Sequence, residues 1–257
     1  MDRVEIMKLL YYTATGNSLY VAKRIGGERL SIPNLLRRGK CTVEDDDAIG
    51  LVFPCYGYTF PRTVLDFLSA ADLKSNYVFA ISTYGAKDLA ALSLMEKTAS
   101  KFGISFDYIN SISMVDNFIP RYSLESQIEA LPSKGIEEHL DKIVADIKAK
   151  KRHAPSASFI EKRSTGKEQP SLTFPPDVDS RYEIRGCVKC RTCMKVCPRG
   201  NIDIFAEERY FHNCDFCMSC IHNCPSNAIH LPDEKSTARF RNEHVQLREI
   251  IESNNQL

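Results

Sequence analysis

Residues 187–198 read CVKCRTCMKVCP, and residues 214–225 read CDFCMSCIHNCP. In each stretch three cysteines follow one another at intervals of three residues, and a fourth cysteine stands directly before a proline. The chain therefore contains an internal repeat. The N-terminal residues of the chain lack the pattern of a secretory signal, so we expect the protein in a reducing compartment, where thiols stay free. We therefore expect these cysteines to bind metal rather than to form disulfides.

The spacing in both stretches is typical of ligands to 4Fe-4S clusters. Three cysteines at intervals of three wrap a short loop around one cube of iron and sulfide, and the fourth cysteine, ahead of proline, reaches the other cube. We predict one cluster on Cys187, Cys190, Cys193 and Cys224, and a second on Cys214, Cys217, Cys220 and Cys197. Paired C-x-x-C steps also build zinc sites, but zinc takes four ligands per site rather than an interlocked row.

The segment that contains this repeat, residues 182–232, resembles the bacterial two-cluster ferredoxins. The resemblance implies a small α+β domain with two 4Fe-4S clusters. Ile202 and Ile229 stand a few residues beyond each cysteine-proline pair, at positions that match the apolar residues shielding the clusters in that family.

Upstream of the repeat, apolar runs alternate with helical patterns. The runs at residues 7–12, 48–53, 77–82 and 104–115 predict strands, and helices are expected after residue 18, from Pro61, over 89–102 and over 135–151. Each crossover between parallel strands lays a helix over the sheet. The first 151 residues are therefore expected to form a doubly wound α/β domain.

The loop after the first predicted strand carries small and hydroxyl residues. It consists of Thr13, Ala14, Thr15, Gly16, Asn17 and Ser18. Backbone N–H groups at such a loop and at the following helix start can bind a phosphate. There is no G-x-G-x-x-G and no lysine after the glycine, so the motifs for dinucleotides and nucleoside triphosphates do not fit and a monophosphate remains.

This loop looks like the T-x-T-G-N-[ST] phosphate loop of flavodoxins, and the pattern over residues 7–151 is similar to their whole fold. The resemblance implies that the domain binds FMN. In such sheets ligands lie at the carboxyl ends of the strands, so two more loops are expected at the flavin. Their residues are Pro54, Cys55, Tyr56, Gly57 and Tyr58, followed by Thr83, Tyr84 and Gly85. Cys41 and Cys55 are interpreted as small apolar residues rather than redox thiols.

Between and beyond the two domains the periodicity changes. Residues 152–181 contain four prolines and predict an extended linker, with Phe159 and Phe174 as anchors. The ferredoxin-like domain is expected over residues 182–234. Residues 235–257 form a tail in which a helix is predicted over 238–252.

The formal net charge of +1 in 257 residues gives no global reason to expect nucleic acid as a partner. No apolar stretch approaches the length of a membrane span, and we expect a cytoplasmic protein. The first cysteine motif carries Lys189, Arg191, Lys195 and Arg199 without an acid among them. This basic strip predicts an acidic redox partner near the first cluster.

The combination is similar to flavodoxin–ferredoxin fusion proteins of anaerobes, for which electron transfer is implied. A flavin exchanges one or two electrons and a cluster exchanges one, so the leading hypothesis is a relay between two clusters and FMN. Two alternatives stay open: a flavin-dependent reductase of a small acceptor, and an interaction protein with structural clusters. No catalytic acid or base is evident, since Lys87 and Asp88 are interpreted as a solvated residue and a helix cap.

Overall fold

The computed structural model describes residues 7–88, 91–152, 175 and 177–257. A five-stranded parallel sheet forms the centre of the N-terminal part. Its strands are β1 (Lys8–Tyr11), β2 (Glu28–Ser31), β4 (Ile49–Pro54), β6 (Val78–Tyr84) and β7 (Tyr108–Ser113), and the short strands β3 (Thr42–Glu44) and β5 (Asp72–Lys74) pair separately. The strands of the main sheet lie in the order β2-β1-β4-β6-β7. This is the 2-1-3-4-5 order of flavodoxin-like folds.

Helices cover both faces of this sheet, as predicted. They are α1 (Asn17–Ile25), α2 (Ile32–Arg37), α3 (Arg62–Ala70), α4 (Ala91–Lys101) and α6 (Ile136–Lys148), whereas Leu124 of α5 (Leu124–Glu129) is buried in the core of the cysteine-rich part. Buried side chains of α1 and α6 pack on one face, and those of α2, α3 and α4 pack on the other. At the centre of the sheet a Cβ on Gly50 would lie 2.3 Å from the Phe79 ring, so only glycine fits there.

One predicted strand of this domain is longer than the strand observed, and two observed elements were not predicted. The strand expected over residues 104–115 covers only Tyr108–Ser113. The segment after α1 carries a strand, β2, and a helix, α2, that the apolar pattern does not reveal. β2 is an edge strand with exposed Glu28 and Arg29, so it lacks the buried run that marks the central strands.

The C-terminal part contains a small antiparallel pair and two one-turn helices. The strands are β8 (Glu183–Ile184) and β9 (Ile229–His230), and the helices are α7 (Thr192–Lys195) and α8 (Ser219–His222). A 3-10 turn at Val178–Arg181 precedes β8, and its Val178 and Asp179 are buried. The rest of the predicted linker, including Phe159 and Phe174, lies outside the described residues apart from its first residue, 152, and residues 175 and 177.

The tail helix α9 (Leu247–Asn254) is shorter than predicted, because its expected first nine residues are not helical. The backbone N–H of Asn242 donates to the Thr15 carbonyl at 2.8 Å, which takes it out of any helix. The helix starts where Gln246 and Glu249 form a capping box. Ile250 of α9 is buried in the same core as α1. Across the described residues, no helix is long and apolar enough to cross a membrane.

Candidate functional site

The four cysteines predicted to hold the second cluster line one small cavity: Cys197, Cys214, Cys217 and Cys220. Burial, followed by the charges of neighbouring cysteines, raises the pKa of Cys217 and of Cys220 far above its usual range, and burial raises the pKa of Cys214 to about 12. Cys197 is among the neighbours that raise each of these three values. Thiols so placed ionise together only when a cationic group compensates them, so the donor set fits an iron–sulfur cluster.

The cysteines predicted for the first cluster also lie together but are more exposed. Burial raises the pKa of Cys193 to about 11, and the neighbours that also raise it are Cys224 and Cys187. Cys190 is exposed, and hydrogen bonding to Thr192 lowers its pKa. No three His, Cys, Asp or Glu side chains in the described parts of the chain are arranged to bind a single metal ion.

The backbone repeats along with the cysteines. Lys189 and Phe216, at equivalent positions of the two motifs, have φ values of 57° and 54°. The backbone N–H groups of Asn201 and Ala228 each donate to the sulfur of the cysteine four residues earlier, at 3.3 Å. Hydrogen bonds to the ligand sulfurs are one of the means by which proteins set cluster potentials, so these two donors suit a cluster on each side.

One cationic neighbour of the first cysteine set was missed in the sequence. The Arg209 guanidinium nitrogens lie 3.9 and 4.0 Å from the Cys187 sulfur. Arg209 stands between the two motifs in sequence, where nothing marks it as a cluster contact.

A second pocket lies at the carboxyl ends of β1, β4 and β6. All residues predicted for the flavin line it except Gly16. Gly16 has φ 102°, and a Cβ there would lie 2.9 Å from the Asn242 Cβ, so it stands behind the loop against the tail. Two further segments that were not predicted also line this pocket. They are residues 115–118 with 121 and 122, and residues 216–218. The first follows β7 without a glycine-rich signal, and the second belongs to the cysteine repeat.

A comparison with known protein families agrees with the assignment of the cysteine repeat. A family model described as a 4Fe-4S dicluster domain matches residues 186–229. Residues 186–229 form a 4Fe-4S domain. The chain thus joins a flavodoxin-like α/β domain to a 4Fe-4S domain, and these folds support an electron-transfer role.

Two relatives of the chain come from Methanocaldococcus jannaschii. An uncharacterized iron–sulfur protein is 22% identical over 178 residues, covering 55% of this chain and 36% of the relative. Pyruvate synthase subunit PorD is 35% identical over 60 residues, covering 22% of this chain and 65% of the subunit. The chain therefore spans about a third of the first relative and just under two thirds of the second.

A solved structure similar to the N-terminal part is the two-electron reduced flavodoxin of Megasphaera elsdenii. It has a TM-score of 0.33 and 16% identity, over 49% of this chain and 97% of the flavodoxin. The flavodoxin-like assignment made above rests on the strand order.

The 4Fe-4S domain builds part of the pocket in which the flavin is predicted. Phe216, Cys217 and Met218 line the pocket, and Cys217 also lines the cavity of the second cysteine set. Tyr56 lies in the pocket wall. Burial is the main cause that raises the pKa of Tyr56, and the nearby charge of Cys217 is the second cause. The predicted flavin site and the predicted second cluster site therefore share a wall.

A buried carboxylate connects the two domains beside this wall. Asp215 accepts a hydrogen bond from the Tyr12 hydroxyl at 3.0 Å and another from the Thr63 hydroxyl. Arg199 lies 4.0 Å from Asp215 and also pairs with Asp66. Arg199 therefore lines the second cavity, and its assignment to a basic strip at the first cluster is wrong. Arg199 directly follows Cys197 and Pro198, and both of these residues already line the second cavity.

The pocket loops are held by polar contacts to Asp116 and Lys134. Asp116 accepts hydrogen bonds from the backbone N–H groups of Ala86 and Phe118. A Cβ on Gly85 would lie 2.3 Å from the Asp116 carboxylate, so the loop after β6 needs glycine there. Lys134 donates to the Gly85 carbonyl at 2.9 Å. These contacts hold the third predicted flavin loop against the segment that follows β7.

The remaining sequence interpretations concern the thiols of Cys41 and Cys55 and the side chains of Lys87 and Asp88. Burial raises the pKa of Cys55 to about 12 and also raises the pKa of Cys41, so both thiols are protonated near neutral pH, as their apolar interpretation requires. Lys87 is exposed at the pocket mouth. The Asp88 carboxylate accepts a hydrogen bond from Ser111, and the first residues of the helix it was expected to cap lie outside the described residues.

Proposed function

We propose that this protein relays electrons between two 4Fe-4S clusters and a bound FMN. The observation that supports it is the position of Cys217, in the wall of both the second cysteine cavity and the flavin pocket. Bound FMN supplies one- or two-electron chemistry, and each cluster supplies one-electron chemistry. In the proposed arrangement the flavin and the second cluster lie on either side of Cys217.

The phosphate of FMN is assigned to the loop from Thr13 to Ser18. The first N–H groups of α1 have no acceptors within the helix, so an anion at this end is favoured. Thr15 and Ser18 are buried in the pocket wall and add hydroxyl groups. The flavin ring is assigned to the loops at Tyr56 and Gly85.

The cluster of Cys187, Cys190, Cys193 and Cys224 is assigned as the port for an outside redox partner. Cys190 is exposed, whereas all four cysteines of the other set line a narrow cavity. Lys189 and Arg191 beside it are exposed, and Val188 exposes 66% of its surface. An apolar spot with cations around it suits an acidic partner protein.

The first test is cofactor content. Protein prepared without oxygen should contain about eight iron and eight acid-labile sulfide per chain, in line with two 4Fe-4S clusters. Calorimetric titration of flavin-free protein should show FMN binding more tightly than riboflavin, and Gly16→Val should abolish the difference. Zinc without sulfide, or equal affinity for FMN and riboflavin, would contradict the proposal.

The second test separates the port from the rest of the surface. Reduction by an anionic sulfonated viologen should slow as salt is added, whereas reduction by cationic methyl viologen should speed up, because salt screens an attraction in the first case and a repulsion in the second. Lys189→Gln with Lys195→Gln should remove that difference. The matched control, Lys97→Gln with Lys101→Gln on the distant helix α4, should leave it unchanged. Equal effects of both double variants would refute the assigned port.

A further inference from the structure

The carbonyl groups of Thr13 and Ala14, at the start of the phosphate loop, accept side-chain hydrogen bonds from the C-terminal part of the chain. The Thr13 carbonyl accepts from Asn254 at 2.8 Å. The Ala14 carbonyl accepts from the Ser219 hydroxyl at 2.9 Å and from the Asn223 side chain at 3.2 Å. All three donor residues are buried. The loop is therefore held from behind by residues more than 200 positions away in the sequence.

These contacts determine where the N–H groups of the loop point. In a planar trans peptide the C=O and the next N–H point in opposite directions. With the carbonyls of Thr13 and Ala14 turned toward the C-terminal donors, the N–H groups of Ala14 and Thr15 turn the other way. Ala14 and Thr15 line the flavin pocket. The rear contacts thus aim two backbone donors at the space assigned to the phosphate.

Two of the rear donors sit on the cysteine repeat. Ser219 begins helix α8 and Asn223 directly follows it. The assigned ligands Cys217, Cys220 and Cys224 lie just before, within and just after this segment. A helix of four residues has no stability of its own, so its position depends on what anchors it. Iron bound to these cysteines would supply that anchor.

We infer that Ser219, Asn223 and Asn254 are positioning residues for the phosphate of FMN, and that through Ser219 and Asn223 cluster assembly strengthens FMN binding. The inference rests on the proposed function, because it requires both cofactors. The coupling is reciprocal, since any free energy by which clusters favour FMN is also the free energy by which FMN favours the clusters.

The decisive experiment measures flavin affinity in cluster-loaded protein by quenching of flavin fluorescence. Ser219→Ala with Asn223→Ala removes both donors to the Ala14 carbonyl. FMN affinity should fall about tenfold, equivalent to about 1.4 kcal/mol, because the peptide unit that carries the Thr15 N–H is no longer held in place. Riboflavin, which has no phosphate, should bind the variant and the wild type equally, and iron content should be unchanged.

Asn254→Ala tests the same idea from outside the cysteine repeat; because the Asn254 side chain also donates to the Val196 carbonyl at 3.3 Å, next to Cys197, iron content is measured together with affinity and should be unchanged. It should weaken FMN binding severalfold and leave riboflavin binding unaltered. The matched control is Asn255→Ala, the next residue, whose side chain accepts a hydrogen bond from the Leu257 N–H instead of contacting the loop. This control should keep wild-type affinity.

Removing iron from the full chain with a chelator tests the coupling itself. Iron-free protein should lose FMN affinity by a factor about tenfold larger than its loss of riboflavin affinity, because Phe216, Cys217 and Met218 also line the part of the pocket that both flavins share. Equal loss of FMN and riboflavin affinity in the Ser219 and Asn223 variant would indicate general loosening and overturn the inference. If FMN still binds more tightly than riboflavin and its affinity is unchanged by the variants and by iron removal, the inference is overturned and the proposed function is not. Wild-type protein without preference for FMN would instead overturn the proposed function.

Discussion

Replacing Cys197 by Ala tests the crossed arrangement of the cysteines directly. Cys197 stands in the first motif of the sequence, but it lines the cavity formed by Cys214, Cys217 and Cys220. Its removal takes one of four ligands from that cavity and none from the other set. Iron content should therefore fall from about eight to between about four and seven per chain, depending on whether the cluster is lost or only one iron leaves.

Three further variants make the test independent of any spectral assignment. Cys217→Ala removes a ligand from the same cavity as Cys197→Ala, so the reduced proteins should give the same electron paramagnetic resonance signal from the intact cluster. Cys190→Ala and Cys224→Ala should share a different signal, because Cys224 lies with the first set. The variants would thus pair by tertiary position rather than by motif.

The measurement is resonance spectroscopy of the reduced protein together with iron and sulfide analysis of all four variants. If the four cysteines of each motif instead bound one cluster, the signal of Cys197→Ala would match that of Cys190→Ala. That result would refute the crossing. Loss of all iron in every variant would show that the two sites cannot assemble separately, which contradicts the distinct cavities as well.

Two other predictions concern the surroundings of the cofactors. Arg209→Gln removes a cation within 4.0 Å of the Cys187 sulfur, so a redox titration should show one cluster moving lower by roughly 40 mV, equivalent to about 1 kcal/mol, with the other unchanged. Arg209→Lys should restore most of the shift, and no movement would show that solvent screens this charge. Gly85→Ala drives a methyl group into Asp116, so thermal unfolding should report about 1–3 kcal/mol of lost stability and FMN affinity should drop. Exposed Ala86→Ser is the control, and a fully stable Gly85→Ala protein would contradict the close approach.

Local features determined most of what the sequence could predict. The cysteine repeat is read from spacing alone, because three ligands of each cluster lie within one short loop. The central strands β1, β4 and β6 were predictable because strands buried on both faces need continuous apolar runs. Edge strand β2 was missed for the converse reason, and the tail helix was placed too early because its apolar residues alone do not show where backbone hydrogen bonds go.

Only the tertiary structure decided which groups meet. Arg199 belongs to the first motif in sequence but lines the second cavity, and Arg209, which stands between the motifs in sequence, lies beside the Cys187 sulfur. The sharing of Cys217 by the cysteine cavity and the flavin pocket depends on how the two domains pack. Spacing constrains atoms a few residues apart, whereas contacts across some 200 residues are set by the packing of whole elements. A pattern in the sequence therefore names the ligands, and the fold determines their neighbours.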